Sequence, residues 1–343
     1  MKAVTITDIA KALNLSTSTV SRALKSSYKI SEETQQKVKE YAAKYNYRPN
    51  LLAQGLKSMG SRSIGVILCA IPNSFFAEVL NGIEFIAASN NYHIIITQSH
   101  ESYEKELNNL EQLLWKSVDG LLVSLSCETC DVEHFRNAQS EGTPVVFFDR
   151  VTNLIDTHTV VADNAKGTYE GTVHLIKSGC KRIAHITSAP NVSISKERLA
   201  GYIQALKEFH LPVREEYIKY CNHGGMISDE VEKAVNELLV LDETPDAILT
   251  ASDRITIECF AMLKKRNIKI PGDIALTGFS NFSAPQLFNP ALTTLKQPAF
   301  EMGKVATGLL LQLIENKRLP KDFEKRVLPI ELHIRESTVR SQM

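Results

Sequence analysis

Apolar positions in residues 5–13, TITDIAKAL, recur at helical spacing, with Ile6, Ile9, Ala10 and Leu13 on one face. Thr5, followed three residues on by Asp8, has the form of a capping box. Asn14 and Leu15 break the pattern. STSTVSRALK then restarts it from Ser16, with Val20, Ala23 and Leu24 as the buried face. Two short helices joined by about three residues make a helix-turn-helix. A third helix is predicted from Ser31, an N-cap candidate followed by Glu32 and Glu33, to about Tyr45, and Pro49 closes the unit.

From residue 63 the period changes. Short apolar runs (SIGVILCA, HIIITQS, GLLVSLS, PVVFFD, TVVAD, RIAHIT, AILTAS and IALTGF) alternate with amphipathic helical stretches. Such alternation predicts parallel sheets with helices on both faces. These strands are too many for one small sheet, and a break near Asp163-Asn164 divides them into two doubly wound subdomains. Sheets of this kind bind ligands beyond the carboxyl ends of their strands, so two facing sheets place a cleft between them.

Composition adds a constraint that averaging conceals. In 343 residues, 43% hydrophobic and 23% charged side chains exclude a disordered chain and a membrane protein. The 39 basic and 39 acidic side chains cancel, which speaks against a nucleic-acid binder when taken as one number. Counted by segment, the first 61 residues carry ten basic and four acidic side chains, a net +6, and the remainder carries −6. A compact basic head on an acidic body points to an electrostatic partner for the head alone.

Nothing in MKAVTITDIAKAL resembles a signal peptide, and no later run approaches the roughly 18 apolar residues of a membrane span. Six sparse cysteines do not form a disulfide framework, so the expected setting is the reducing cytoplasm. Cys127 and Cys130 form a single C-x-x-C with His134 nearby, but a zinc or redox site needs a second ligand pair or a thioredoxin-like context. No metal and no cofactor are expected.

The second helix presents Ser16, Thr17, Ser18, Ser21 and Arg22 on its outer surface. Small hydroxyl side chains let a helix approach the major-groove floor, and arginine addresses guanine in bidentate fashion. A plain three-helix bundle with a Ser/Thr-rich face is the alternative reading, and the +6 charge favours DNA.

TITDIAKALNLSTSTVSRALK, KISEETQQKV and YRPNLLAQGLKS resemble the lactose-repressor (LacI–GalR) family of bacterial transcription regulators. The resemblance continues through SIGVILCAIPNSFFAEVLNGIE, VDGLLVS, PVVFFDR, VVADNAKG, RLAGY, GFSN, LTTLKQP and RES, nearly the whole chain. It implies an N-terminal all-α helix-turn-helix domain, residues 1–49, and a hinge helix with linker, residues 50–61. It also implies an α/β periplasmic-binding-protein-like core. The core's N-subdomain is expected at 62–163 plus 294–323 and its C-subdomain at 164–293 plus 324–343, with TTLKQ as a crossover. Thr5 and Lys29 join the DNA-facing set. In the hinge, Asn50, Ala53, Gln54, Leu56 and Lys57 would meet the minor groove, with Leu56 as the wedge between base steps. That segment is too short for a stable isolated helix, and Gly55 lowers its propensity by about 1 kcal/mol relative to alanine.

The resemblance also implies an effector between the subdomains: a sugar, sugar acid or sugar phosphate. Phe75 would cover it, Asp149 would accept hydroxyl hydrogen bonds, and Arg198 in RLAGY would supply a guanidinium fork. Ser252 (where the family commonly has Asn) and Asp253 follow a strand end. His223 falls at an aromatic cleft position or is an ordinary surface or core histidine. GFSN departs from the family's GxDD-like motif, and Ser280 there removes a charge-assisted acceptor. Strand-end Asp and Ser also cap the next helix, which is the structural alternative for these positions.

No P-loop, G-x-S-x-G, H-E-x-x-H or G-x-G-x-x-G occurs, and no catalytic residue is assigned. A sugar-binding protein or enzyme on the same core is the alternative function, but neither explains the basic head; an activator rather than a repressor is the other. The polar RESTVRSQM carries no heptad run, so a homodimer on a pseudo-palindromic operator is expected rather than a coiled-coil tetramer.

Overall fold

The computed structural model describes residues 4–24, 26–45, 47, 60–316, 320 and 322–339. The chain forms two compact units, one up to Ser61 and one from Arg62 onward. The first contains α1 (Ile6–Ala12), α2 (Thr17–Leu24) and α3 (Glu32–Lys44). The expected capping box is present: the Asp8 N–H donates to Thr5 Oγ1 at 3.3 Å and the Thr5 N–H donates to Asp8 Oδ2 at 2.9 Å. Ser16 starts α2 by accepting from the Thr19 N–H at 3.1 Å, and Ser31 starts α3 by accepting from the Thr34 N–H at 3.4 Å. Asn14 takes a positive φ of 51° between α1 and α2, a conformation asparagine tolerates. Ile9, Ala10, Val20, Ala23, Val38 and Ala42 close a core of this unit's own.

The second unit holds two six-stranded sheets. The first has the order β11-β5-β4-β3-β1-β2, built from β1 (Ser63–Leu68), β2 (His93–Gln98), β3 (Gly120–Val123), β4 (Val145–Phe148), β5 (Thr159–Ala162) and β11 (Lys325–Leu328). The second has the order β12-β10-β9-β8-β6-β7, built from β6 (Ile183–Ser188), β7 (Ile218–Cys221), β8 (Ala247–Thr250), β9 (Ala275–Phe279), β10 (Thr293–Lys296) and β12 (Glu331–His333). Among the described residues, only the β10–β12 pairing is antiparallel. Both faces of each sheet are buried along the inner strands, and period-two alternation divides the side chains between them. Val146 and Phe148 enter one cluster with α4 (Ser74–Ser89) and α11 (Ala299–Glu315). Val145 and Phe147 enter another with α5 (Tyr103–Trp115) and α6 (Glu133–Ser140). In the second sheet Ile248 faces α9 (Ser228–Leu239) and α10 (Asp253–Lys265). Leu249 faces α7 (Asn164–Lys177) and α8 (Ser193–Glu208).

The chain passes between the sheets three times: from β5 to α7, from β10 to α11 and from β11 to β12. Two expected boundaries shift accordingly. TTLK, expected to be part of a crossover, is strand β10 of the second sheet, so the crossing follows it at Gln297. Lys325–Leu328, expected in the C-subdomain, is an edge strand of the first sheet. Its side chains are mostly exposed and offer no apolar run to read. The same reason hid β7 and β12, which are half-exposed edges.

Glycines set the closest helix contacts. A methyl at Gly82 of α4 would collide with the Phe300 carbonyl, and one at Gly303 of α11 with the Val79 carbonyl. Gly201 of α8 meets the Ala165 carbonyl of α7 in the same way. Propensity alone would have Gly303→Ala stabilise α11 by about 1 kcal/mol. Backbone-to-backbone crowding reverses that sign, and we expect Gly303→Ala to destabilise the core by about 1–3 kcal/mol in urea unfolding.

Candidate nucleic-acid interface and effector cleft

On α2 and its flanks, Thr5, Ser16, Thr17, Ser18, Arg22 and Lys29 are exposed, and Ser21 is half-buried. Ser16 Oγ lies 2.8 Å from both Ser18 Oγ and Thr19 Oγ1, so the helix start presents a tight hydroxyl cluster. The Thr5 hydroxyl donates to Asp8 at 2.6 Å and is already engaged in its own cap. Lys37 pairs with Glu33 at 2.7 Å, whereas no acidic partner is described for Arg22 or Lys29. Beside Lys29, Tyr28 is 90% exposed, with the ammonium 5.7 Å from its ring centre. Sequence reasoning did not single out this aromatic in the polar SSYK turn. Asn50, Ala53, Gln54, Leu56 and Lys57 lie outside the described residues.

In the second unit, the loops at the carboxyl ends of the two sheets bring together the charges that the sequence placed there. Asp149 follows β4 with a positive φ of 58° and is buried. Its carboxylate accepts from Ser124 Oγ at 3.5 Å. Burial pushes its pKa up, and the charges of Arg150 and Arg198 oppose this only in part. Arg198 of α8 is 2% exposed. Its Nε donates to Asn164 Oδ1 at 2.9 Å, its Nη1 to the Ala251 carbonyl, and its plane lies 3.8 Å from the Phe279 ring centre. Its Nη2 is buried without a partner among the described residues. Burial lowers its pKa to about 10, against the pull of Asp149.

Arg150 donates to Glu101 at 2.6 Å and to the Leu125 carbonyl at 3.4 Å, and Glu101 also accepts from the Cys127 N–H at 2.9 Å. Burial raises the Glu101 carboxyl, but the Arg150 charge and hydrogen bond outweigh it and hold the group below its usual range. This buried pair braces the loops after β2, β3 and β4, and sequence reasoning did not single it out. The Cys127 thiol, pushed up to about 12 by burial and then by Glu101, sits in the same brace with Sγ 3.6 Å from the Glu101 carbonyl.

The other predicted positions take definite places. Phe75 is buried at the start of α4, edge-on to Phe76 with ring centres 5.1 Å apart. Ser252 caps α10 through the Ile255 N–H at 3.2 Å and donates to the Gly224 carbonyl at 3.1 Å. Ser280 donates to Asp253 at 2.6 Å, and Asp253 also accepts from the Ser74 N–H of the opposite subdomain at 3.2 Å. His223 turns to Glu230, with Nδ1 2.8 Å from its carboxylate. The structure thus gathers Asp149, Arg198, Asp253 and Ser280 as buried polar groups between the sheets. A cavity of about 760 Å³ opens beside Arg150, lined by Ser126, Thr152, Ser193, Lys196 and Lys325 among others. None of the seven predicted effector residues lines it.

Residues 61–334 match the family described as "Periplasmic binding proteins and sugar binding domain of LacI family", and residues 5–50 match "Bacterial regulatory proteins, lacI family". The chain belongs to the LacI family. It is similar to catabolite control protein A of Priestia megaterium, 32% identical over 98% of this chain and 99% of the relative. It is also similar to the HTH-type transcriptional repressor CytR of Escherichia coli (strain K12), 31% identical over 98% of this chain and 96% of the relative. The lac repressor dimer bound to operator and the anti-inducer ONPF shares the fold, with a TM-score of 0.82 and 23% identity over 99% of this chain and 100% of that one. This LacI-family protein is a DNA-binding transcription regulator, and its curated relatives are regulators rather than enzymes. Among the described residues, no helix is long and apolar enough to cross a membrane.

Asp149 yields a pH-dependent outcome. Because its folded-state pKa is raised, the folded protein holds that proton more tightly than the unfolded chain does. Its contribution to stability is complete below the unfolded value of about 3.9 and is lost as pH rises through the raised one. Asparagine keeps the shape, tolerates positive φ and carries no charge. We expect Asp149→Asn to have the higher thermal midpoint at pH 7, with the gap closing as the pH falls to 4. A variant that is less stable across that whole range would refute the cost of the buried carboxylate.

Proposed function

We propose that this LacI-family regulator is a repressor whose operator affinity is set by a small effector, a sugar or sugar derivative, bound between the two core subdomains. It acts as a homodimer on a pseudo-palindromic operator. Each head reads one half-site with α2, and the hinge residues Asn50, Ala53, Gln54, Leu56 and Lys57 meet the central minor groove. The observation that carries the effector reading is Arg198. A guanidinium 2% exposed, with Nη2 unpartnered and the buried Asp149 carboxyl near it, is a donor and acceptor set of the kind that adjacent hydroxyls satisfy. The matched family description names a sugar-binding domain, which supports the ligand class. Phe75, Ser252, Asp253 and Ser280 frame the same cleft, with His223 at its border.

The effector would act by favouring one angle between the subdomains, and linkage requires that DNA alter effector affinity by the same factor. The test begins with a thermal-shift screen of neutral saccharides, sugar acids and sugar phosphates on the full chain, followed by operator titration with the hit. Arg198→Lys keeps the charge but loses the fork and the stacking. It should raise the ligand concentration for half-response by about ten-fold or more, with ligand-free operator affinity unchanged. A saturating hit that leaves operator affinity unaltered would sink the allosteric reading for that ligand.

At the head, Arg22→Ala should cost about 1–3 kcal/mol on the preferred operator and relax the choice of base at one position. An equal loss on every sequence, with a shallower salt dependence, would assign Arg22 to phosphate contact instead.

A further inference from the structure

The first helix of the core is gripped from the other subdomain at three points. The Ser74 N–H, at the first position of α4, donates to Asp253 Oδ2 at 3.2 Å. Arg254 Nη2 donates to the Pro72 carbonyl at 2.8 Å. Asn281 Nδ2 donates to Glu78 Oε2 at 2.8 Å. Pro72, Ser74 and Glu78 lie within one turn of the start of α4, whereas Asp253, Arg254 and Asn281 follow β8 and β9 of the second sheet. Asp253 and Asn281 are 6% and 2% exposed, so their two bonds are partly shielded from water and solvent replaces them poorly, whereas the Arg254 bond is exposed.

The chemistry of the grip is specific. The start of a sixteen-residue helix carries a partial positive charge, and a carboxylate against it is favourable. Asp253 reaches that position because Ser280, 3% exposed, fills its other oxygen with a hydroxyl 2.6 Å away. Ser280 in turn is fixed by accepting from the Phe282 N–H at 3.2 Å. An acid at position 280 would set two carboxylates against each other at that distance. One of them would have to take a proton or leave.

We propose that Asp253, held by Ser280, clasps the amino end of α4 and sets the balance between closed and open arrangements of the two subdomains. A ligand hydroxyl that donated to Asp253 or accepted from the Ser74 N–H would compete with the clasp, so the contact that opens the core and the contact that recognises the ligand share atoms. The consequence for operator binding rests on the allosteric reading above; the clasp itself does not.

The test uses hydrogen–deuterium exchange on the full chain, read at a site remote from the clasp. The Val151 N–H donates to Ser193 Oγ across the same cleft at 3.2 Å, and neither residue touches the clasp. Ser74→Pro removes the donor where proline is tolerated, at the first helical position after an extended Asn73. Ser280→Asp adds the opposing charge, and Ser74→Ala keeps the N–H as a control. Exchange in a peptide covering residues 149–153 should quicken about ten-fold or more in Ser74→Pro and Ser280→Asp, the loss expected for a charge-assisted bond. It should stay within about two-fold of the parent in Ser74→Ala, with strands β8 and β9 unchanged throughout. If Ser280→Asp loosens β8 and β9 as well, it has disturbed the fold and Ser74→Pro alone decides. Unchanged exchange at 149–153 in Ser74→Pro overturns the clasp. Faster exchange with unaltered operator affinity keeps the clasp and removes the allosteric reading.

Discussion

Parallel strands finish together, and the helices that follow them begin together. Every such sheet therefore has one rim of strand carboxyl ends and helix amino ends. In this protein two such sheets are bound into one unit by three passages of the chain, and both rims supply the polar groups of one cleft. Charged side chains out of water must be paired, bonded or shifted in pKa, and all three outcomes occur here. Glu101 and Arg150 pair. Asp253 is bonded from both subdomains. Asp149 is left with a raised pKa, and Arg198 with a lowered one and an unused donor. In the proposed reading, the last two are the groups that a ligand satisfies.

How far these features can be read from sequence depends on how much each position says about itself. The capping box at Thr5 and Asp8, the N-cap at Ser31 and the apolar strands of both sheet interiors follow from local rules. Strands β7, β11 and β12 do not, because an edge strand is held by hydrogen bonds to one neighbour and its side chains stay wet. Strand β10 was obscured for another reason. Its buried threonines satisfy their hydroxyls through distant partners, Thr293 donating to the Arg335 carbonyl at 2.9 Å, and no local pattern encodes such a partner.

The site shows the same division. Asp149, Arg198 and Asp253 were named in advance because they sit at strand ends or in a motif, and all three are buried. The Glu101–Arg150 pair spans 49 positions and was not found. Ser280 was read as a missing acid, and the structure gives it a positive task. As a hydroxyl it can donate where an acid could not, and its partner is the neighbouring acid. The head presents the converse case. Its zero-sum charge balance with the body concealed it in the average, yet its helices have a core of their own and expose Arg22 and Lys29.

The three passages between the sheets have a consequence for how the molecule comes into being. The first sheet draws its edge strand β11 from residues 325–328, and the second draws β12 from 331–333. Neither sheet can be completed until almost the whole chain has left the ribosome. The head, by contrast, has every residue of its core by Ala42. Domains fold as they emerge, amino-terminal parts first. A chain interrupted late in synthesis therefore carries a finished helical head and an unfinished two-sheet core.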